Sequence, residues 1–288
     1  MSQLRLSLLG PPQVWADDTP LTFATRKALA LLIYLVVEGG SQPRDKLLAL
    51  LWSDSGPERG RGVLRTTLAY LRRALDASTT LNSAAYLMTE ADTIAFNFKA
   101  DYNLDLHQVE LALQSDQPAL LEQVASLYRG DFLAGFSMLD APGFDEWASV
   151  QRETWHRRMS AIFEQLSQRQ AEERHFEAGL ATAACWVAHD PLNEAAHRRL
   201  MQLYALKGDR TAALQAYAAC QTTLKMELSI EPSAETKKLV EQIRKQEFRL
   251  PISDFGQRAQ WVLKTLCTRQ KIQALNLDQG AKPVRCRI

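Results

Sequence analysis

A run of arginines between residues 59 and 73 carries the strongest chemical signal in the sequence. In a helix each residue turns by about 100°. One face of this segment would then consist of Arg59, Gly62, Thr66, Ala69 and Arg73, with Arg61, Arg65 and Arg72 along one flank. A guanidinium group donates paired hydrogen bonds to guanine O6 and N7, and a threonine methyl group packs on the thymine methyl group. The segment therefore has the side chains that read base edges in a DNA groove.

The residues predicted to contact DNA fall into two sets. Those predicted to read bases are Arg59, Arg65, Thr66 and Arg73, with Arg65 the first choice. Those predicted to neutralise phosphates, which sets the register and makes affinity fall at high salt, are Arg26, Lys27, Arg44 and Arg61. The alternative is that these arginines form an ordinary solvated surface paired with Asp54, Glu58 and Asp76.

The elements that would position these residues are predicted from the residue pattern. Residues 4–9 and 13–15 are predicted strands, and residues 21–23 are the predicted return of a hairpin after Asp17 and Asp18. Thr25 can cap a helix that ends before Gly39, and a short second helix follows Pro43. A third helix, residues 59–75, has an apolar stripe that faces the core, made of Leu64, Leu68, Leu71 and Leu75.

Residues 86–98, YLMTEADTIAFNF, alternate in two short runs around a turn, as a β-hairpin does. Helix, helix, helix and hairpin, in this order, define a winged helix-turn-helix, and residues 1–100 are predicted to form that domain. The tip of the hairpin, or wing, carries Glu90 and Asp92, which DNA phosphates repel. We therefore expect a weak grip by the wing and a larger share of binding by the third helix.

Residues 104–247 are predicted to form an all-α second domain. Helical periodicity covers residues 105–114, 119–128, 144–170, 176–188, 193–206, 211–226 and 233–246. Identical residues recur 34 positions apart at Leu166 and Leu200, Ala178 and Ala212, Leu180 and Leu214, and Ala184 and Ala218. This is the tetratricopeptide period, in which small residues let paired helices approach. The predicted fold is mainly α: a winged helix-turn-helix with a small sheet, then a tetratricopeptide-like domain, then a basic, poorly ordered tail at residues 248–288.

The composition bounds the class of protein. A length of 288 residues favours two domains with separate cores, and 46% hydrophobic with 23% charged residues is typical of a soluble protein. The longest apolar run, residues 28–37, is shorter than the ~20 residues that span a bilayer, and no signal peptide pattern opens the chain. A cytoplasmic protein without membrane contact is expected. Because the net charge is only +1, DNA binding depends on where the charges lie.

No cofactor, metal or catalytic site is predicted. Cysteines at Cys185, Cys220, Cys267 and Cys286 lie too far apart to form a zinc-binding pair, and His156, His175, His189 and His197 lack ligand spacing. Residues 56–63, GPERGRGV, lack the lysine of a phosphate-binding loop. Because no nucleophile with a plausible base emerges, the protein is not expected to be an enzyme.

With these segments in place, the chain resembles the antibiotic regulatory protein (SARP) family of bacterial transcriptional activators over about residues 3–246. The segments that carry the resemblance are TRKALALLIYLVVEGG, RDKLLALLW, VLRTTLAYLRRAL, YRGDFLAGF, FDEWASVQRE, DPLNEAAHRRLMQLYALKGDRTAALQAY and ELSIEPSAET. The resemblance implies an OmpR-type DNA-binding domain followed by a bacterial transcriptional activation domain. It also implies a dimer or tandem pair on direct repeats, and contact with RNA polymerase. Ser229 departs from the family, which usually has glycine in this turn.

Two functional interpretations follow. In the first, the protein is a sequence-specific transcriptional activator that binds direct repeats in double-stranded promoter DNA through residues 59–75 and recruits RNA polymerase. In the alternative, it is a tetratricopeptide-type adaptor whose winged helix no longer binds DNA. The aromatic residues of the second domain bear on this choice, since they either line a peptide-binding groove or form core between helices, the interpretation we favour. They are Trp147, Trp155, Phe163, Trp186 and Tyr217.

Overall fold

The computed structural model describes residues 3–77, 81–115 and 117–245, so the predicted tail at 248–288 lies outside the described residues. The chain begins with a four-stranded sheet made of β1 (Leu4–Ser7), β2 (Gln13–Ala16), β3 (Thr19–Pro20) and β7 (Tyr102–Leu104), in the order β3-β2-β1-β7. β1 pairs antiparallel with β2 and parallel with β7. The hairpin return starts at Thr19 rather than at residue 21, because Asp17 takes a left-handed φ of 53° and turns the chain at once.

The winged helix-turn-helix follows this sheet. Its helices are α1 (Arg26–Glu38), α2 (Arg44–Leu51), α3 (Pro57–Asp76) and the short α4 (Ser83–Tyr86). Its second sheet, which contains the wing, has the order β4-β6-β5 and consists of β4 (Ser41–Pro43), β5 (Leu87–Thr89) and β6 (Thr93–Phe96). Thr25 caps α1 as predicted, since its hydroxyl accepts the Ala28 N–H at 3.2 Å. α3 starts at Pro57, two residues before the predicted start, because proline fits the first turn of a helix.

After β7 the described chain is mainly helical, with an irregular segment between the second and third of its helices. Its elements are α5 (Asp105–Gln114), α6 (Pro118–Leu127), α7 (Pro142–Glu172), α8 (Phe176–His189), α9 (Glu194–Lys207), α10 (Arg210–Leu228) and α11 (Ala234–Arg244). From α7 to α11 each helix packs on the next in sequence, which is how stacked helical repeats bury their faces. Among these helices none is both long and apolar enough to cross a membrane.

The 34-residue spacing relates α8 to α10, but the predicted alanines are not the residues where helices meet. Ala178, Ala184 and Ala218 are exposed. The close approach is one position further along, at the buried Gly179, where an added Cβ would lie 3.0 Å from Leu203 Cδ2. Its counterpart 34 residues later, Ala213, is also buried. The alanines that recur 34 positions apart therefore revealed the repeat length, but they do not mark the face on which the helices contact each other.

The apolar core does not divide into a winged-helix core and a helical core, contrary to the expectation from length. One continuous cluster runs from Leu4 to Ala196, while two smaller clusters lie among α7 to α11. α2 packs on α7, and α5 packs on β1 and β7. The winged helix and the first helices behind it therefore share one hydrophobic interior.

Polar contacts reinforce this junction. The buried Asp105 carboxylate, at the start of α5, accepts the N–H groups of Leu8 and Leu9 through Oδ2 at 2.6 and 2.8 Å. Gly10 donates its N–H to the Asp131 carbonyl at 3.1 Å. Its φ of 120° and the 2.9 Å that would separate an added Cβ from Arg129 Cβ leave room only for glycine.

Candidate nucleic-acid interface

The predicted division of α3 into an apolar and a cationic face is present in the structure. Leu64, Leu68, Leu71 and Leu75 are buried. The side chains on the opposite side are exposed, and they are Arg59, Arg61, Arg65, Thr66, Ala69, Arg72 and Arg73. The helix pattern alone contains this information, since both faces follow from the same 3.6-residue period.

The solvated-surface interpretation required acidic partners for these arginines. Within the described ranges, none of Arg59, Arg61, Arg65 and Arg73 forms an ion pair. The Asp76 carboxylate instead accepts the N–H and hydroxyl of Ser83, at 2.7 and 2.9 Å. The exposed side of α3 therefore presents uncompensated positive charge to solvent.

Two small residues make the centre of this side low and smooth. A Cβ added at Gly62 would have no neighbour within 4 Å, so the backbone is open to an approaching surface there. The Thr66 hydroxyl donates to the Gly62 carbonyl at 3.1 Å, which satisfies the hydroxyl within the helix and leaves its methyl group available for apolar contact.

A cleft of about 680 Å³ lies between α3, the start of α2 and the wing. It brings together the predicted residues Arg44, Arg61 and Arg65, and adds Arg72. Asp45 and Asp92 also line the cleft, so cations outnumber acids there. The flank of α3 and Arg44 were predicted from the sequence, but their meeting with the wing in one cleft was not, because these residues are far apart in sequence.

The wing is fastened to the helices by two of these arginines. Arg44 donates its N–H to the Asp92 carbonyl at 2.9 Å and its Nη2 to the Glu90 carbonyl at 3.0 Å. Arg72 Nη2 donates to Thr89 Oγ1 at 2.9 Å. The side chains of Glu90 and Asp92 are exposed at the tip, as predicted. Arg72 lies on the flank of α3 predicted for it, although it is not among the residues predicted to contact DNA.

Arg26 and Lys27 lie on the other side of α3, against the loop before α7. Arg26 Nη2 donates to the Ser137 carbonyl at 2.8 Å, and its guanidinium lies 4.8 Å from the Phe136 ring centroid. Lys27 Nζ is 2.9 Å from Asp140 Oδ2, and this contact lowers the pKa of Asp140. The two cations thus face the helical part of the chain, a contact that no local pattern indicates.

A second cleft, of about 600 Å³, joins these two cations to the exposed side of α3. Its lining includes Arg26, Lys27, Arg59, Gly62 and Thr66. Arg73 lines neither cleft and lies exposed near the end of α3. The predicted site residues therefore form two groups, one on each flank of the helix, with Arg73 apart from both.

The aromatic residues of the helical part are mostly core. Trp155, Phe163 and Trp186 are buried, while Trp147 and Tyr217 are partly buried against the core clusters. Trp147 donates its Nε1–H to Glu38 at the end of α1, at 2.6 Å. This arrangement confirms the core interpretation and leaves no aromatic groove among these residues.

Residues 97–244 match the family described as the bacterial transcriptional activator domain. The regulatory protein AfsR of Streptomyces griseus is 27% identical over 247 residues, which is 83% of this chain but only 24% of AfsR. The transcriptional regulatory protein MoaR1 of Mycobacterium tuberculosis is 26% identical over 269 residues, covering 87% of this chain and 81% of MoaR1.

A solved structure also resembles the chain. Mycobacterium tuberculosis EmbR, in complex with a low affinity phosphopeptide, superposes with a TM-score of 0.62 at 22% identity and covers 94% of this chain and 72% of EmbR. At this identity the likeness concerns the fold, and it extends over both the winged helix and the helices behind it.

Proposed function

This chain belongs to the bacterial transcriptional activator domain family, and from that premise we propose that it regulates transcription by inserting α3 into the major groove of DNA. The observation that carries the proposal is the exposed side of α3, where Arg59, Arg61, Arg65 and Arg73 have no acidic partner in the described ranges. Unpaired cations of this kind meet phosphates and base edges without first breaking an ion pair.

The dimensions of α3 support this docking. Its 20 residues correspond to about 30 Å of helix, and an α-helix fits the major groove, which is about 12 Å wide. In helix-turn-helix proteins the first residues of the recognition helix contact base edges. Arg59 and Arg65 lie toward that end of α3, so we assign base reading to them, to Thr66 and, at the far end, to Arg73.

The flanking cations are assigned to the phosphates. Arg61 is fully available for this role, whereas Arg44 shares its guanidinium with the wing backbone. Lys27 is paired with Asp140, so its phosphate contact would require exchange of that partner. The carboxylates at the wing tip oppose close contact with the minor groove, and α3 therefore provides most of the binding.

The remaining parts of the proposal concern assembly. Binding of a dimer or tandem pair to direct repeats is part of the proposal because the chain resembles the SARP activators. Recruitment of RNA polymerase is supported by the activator family to which the chain belongs. The helical part of the chain, α5 to α11, is the part that we assign to the polymerase.

The test begins with selection of bound duplexes from a random DNA library by the full chain. Binding of the selected duplex is then measured by fluorescence anisotropy between about 50 and 200 mM salt. Arg65→Ala should relax sequence preference at one position, with a loss of ~1–3 kcal/mol for the preferred base. Arg61→Ala should weaken all duplexes similarly and reduce the salt slope by about 1.

Arg157→Ala is the matched control, because it removes the same charge from an exposed arginine on α7, which pairs with Glu153 at 3.2 Å. It should bind DNA as the wild type does. The proposal fails if the wild type selects no duplex, or if Arg65→Ala and Arg61→Ala bind like Arg157→Ala. In either case the adaptor interpretation would replace it.

A further inference from the structure

The second cleft, between α3 and the loop before α7, has a floor of apolar side chains. Trp52, Val63 and Tyr70 line it. The first of these is buried, and the other two are partly buried against the core beneath the cleft. The volume of about 600 Å³ lies within the range of ~300–1,000 Å³ that small-molecule sites occupy. The cleft is therefore large enough and apolar enough to enclose the body of a small organic molecule.

The rim of the cleft is cationic. Arg26, Lys27 and Arg59 contribute positive charge, whereas Asp140 is the single acid among the lining residues. Small-molecule sites combine an apolar lining with a few polar or charged groups that fix the orientation of the ligand. An apolar floor below an excess of positive charge therefore complements a molecule with an apolar body and an anionic group.

Arg59 is the cation most available to a ligand. It is exposed and forms no ion pair within the described ranges. Lys27 Nζ is held by Asp140, at 2.9 Å from Oδ2 and 3.2 Å from the carbonyl oxygen, and only 18% of its side chain is exposed. Arg26 Nη2 donates to a carbonyl of the loop at 2.8 Å. A guanidinium without an acidic partner offers paired N–H donors that match the oxygens of a carboxylate or sulfonate.

The shape of the cleft favours a flat, aromatic body. Two of its floor residues, Trp52 and Tyr70, are aromatic, and aromatic rings pack on one another in offset or edge-to-face arrangements. Gly62 leaves the wall formed by α3 open, because an added Cβ would have no neighbour within 4 Å. A planar ring can therefore reach the floor past the backbone of α3, close to the Arg59 guanidinium.

We propose that the second cleft binds a small aromatic anion, either a carboxylate or a sulfonate. The ring lies on Trp52, Val63 and Tyr70, and the anionic group pairs with Arg59. The phosphates of DNA meet the cations of the rim but leave the apolar floor uncovered, whereas an aromatic anion uses both.

Occupation of the cleft has a consequence for DNA binding, and this part of the inference rests on the proposed function. Arg59, Gly62 and Thr66 line the cleft and also lie on the side of α3 that we propose to enter the major groove. A ligand bound there and a DNA duplex exclude each other. The aromatic anion is therefore an inhibitor of DNA binding by direct competition.

The test uses 8-anilinonaphthalene-1-sulfonate, a fluorescent aromatic sulfonate, and its uncharged counterpart N-phenyl-1-naphthylamine. Fluorescence titration of the full chain should show one saturable site for the sulfonate. Arg59→Ala should weaken binding of the sulfonate about three- to tenfold and leave binding of the uncharged probe unchanged. Asp140→Asn should strengthen binding of the sulfonate about two- to fivefold, because it removes the acid from the rim and releases Lys27.

Gly62→Leu tests the position of the site by filling the cleft. The open space at Gly62 accommodates a side chain, and leucine favours a helix more than glycine does, so the variant should fold, which circular dichroism checks. Binding of both probes should fall by roughly tenfold or more. Ala69→Leu adds bulk to α3 in the other cleft, and Arg73→Ala removes an exposed arginine that lines neither cleft. Both controls should bind the sulfonate as the wild type does.

The proposal is overturned if the wild type shows no saturable site, or if folded Gly62→Leu binds the sulfonate with unchanged affinity. It is also overturned if Arg73→Ala weakens binding as much as Arg59→Ala does. The same holds if binding is abolished by Met88→Ala, which lies in an apolar cleft of about 430 Å³ on the wing sheet.

Competition is measured separately, with the duplex that the full chain selects. This duplex should displace the sulfonate from the wild type, and a duplex that binds without displacing it contradicts the competition. If the wild type selects no duplex, the proposed function fails, while the titrations without DNA still decide whether the cleft binds the anion.

Discussion

Asp105 is a buried acid that joins the two parts of the chain through one oxygen. Burial raises its pKa to about 6, against the opposing effect of the N–H groups of Leu8 and Leu9. Its other oxygen, Oδ1, has no hydrogen-bond partner in the described part of the chain. At neutral pH the buried carboxylate is charged, and its burial in that form lowers the stability of the folded protein.

This shift predicts a pH dependence of stability with a definite sign. Because the folded pKa is about 6 and the ordinary value is 3.8, the native state binds the extra proton, and stability is lost as pH rises through this window. We expect the free energy of unfolding of the wild type, minus that of Asp105→Asn, to increase by about 1.4 kcal/mol from pH 7 to pH 5. Urea unfolding of both proteins at the two pH values measures this difference, and a constant difference would contradict the assignment.

Among individual residues, the sequence predicted exposure well and partners poorly. Arg65 and Leu68 were placed on opposite sides of α3 because helical period is a local property. The contact of Arg26 with the Ser137 carbonyl spans 111 positions, and no periodicity encodes such a pair. Arg72 was not selected, since its role depends on a wing residue, Thr89, whose position follows from tertiary packing.

The wing is the element whose orientation depends most on side chains outside it. β5 and β6 are joined by a tip at residues 90–92, and the hydrogen bonds from Arg44 and Arg72 are made to the tip and to β5. Because these two arginines also line the cleft beside α3, the position of the wing and the shape of the surface proposed to face DNA are linked.

Thr89→Val separates the positioning role of Arg72 from its charge. It removes the 2.9 Å hydrogen bond while leaving the arginine in place. A hydrogen bond contributes ~0.5–1.5 kcal/mol, so we expect DNA affinity to fall roughly two- to tenfold with the salt slope unchanged. Arg72→Ala should lower both the affinity and the salt slope, which anisotropy titrations at several salt concentrations measure. If Thr89→Val binds as tightly as the wild type, Arg72 acts by charge alone.

Elements with strong local patterns were predicted and elements formed by long-range pairing were not. The helices from α5 to α11 and the wing follow their predicted segments closely, because each has its own periodicity. β7 was missed because its three residues, Tyr102–Leu104, become a strand only by pairing with β1. β4 was missed for the same reason, since Ser41–Pro43 is a strand only beside β6.

For the whole molecule, the important feature is the single core shared by the winged helix and the helices behind it. The length of the chain predicted two separate cores. It could not predict the contacts of α2 with α7 and of α5 with β1, which join the two parts. A shared core of this kind fixes the direction in which the helical part projects from α3.

That fixed direction matters for how an activator bound to DNA would reach its target. A rigidly attached body follows the rotation of the double helix, which repeats every ~10–10.5 base pairs. Moving the binding site by about five base pairs would turn the helical part to the opposite side of the DNA, and moving it by a full turn would restore its side.

We therefore expect the level of transcription that the proposed activator drives from a reporter promoter to rise and fall as the distance between the binding site and the promoter is changed. It should fall sharply when about five base pairs are inserted between the binding site and the promoter, and recover largely with about ten. Anisotropy on the same duplexes should show unchanged affinity, and a smooth decline with distance would contradict the expectation. The core that joins the two parts of this chain would in this way determine on which side of the double helix the binding site must lie relative to the promoter.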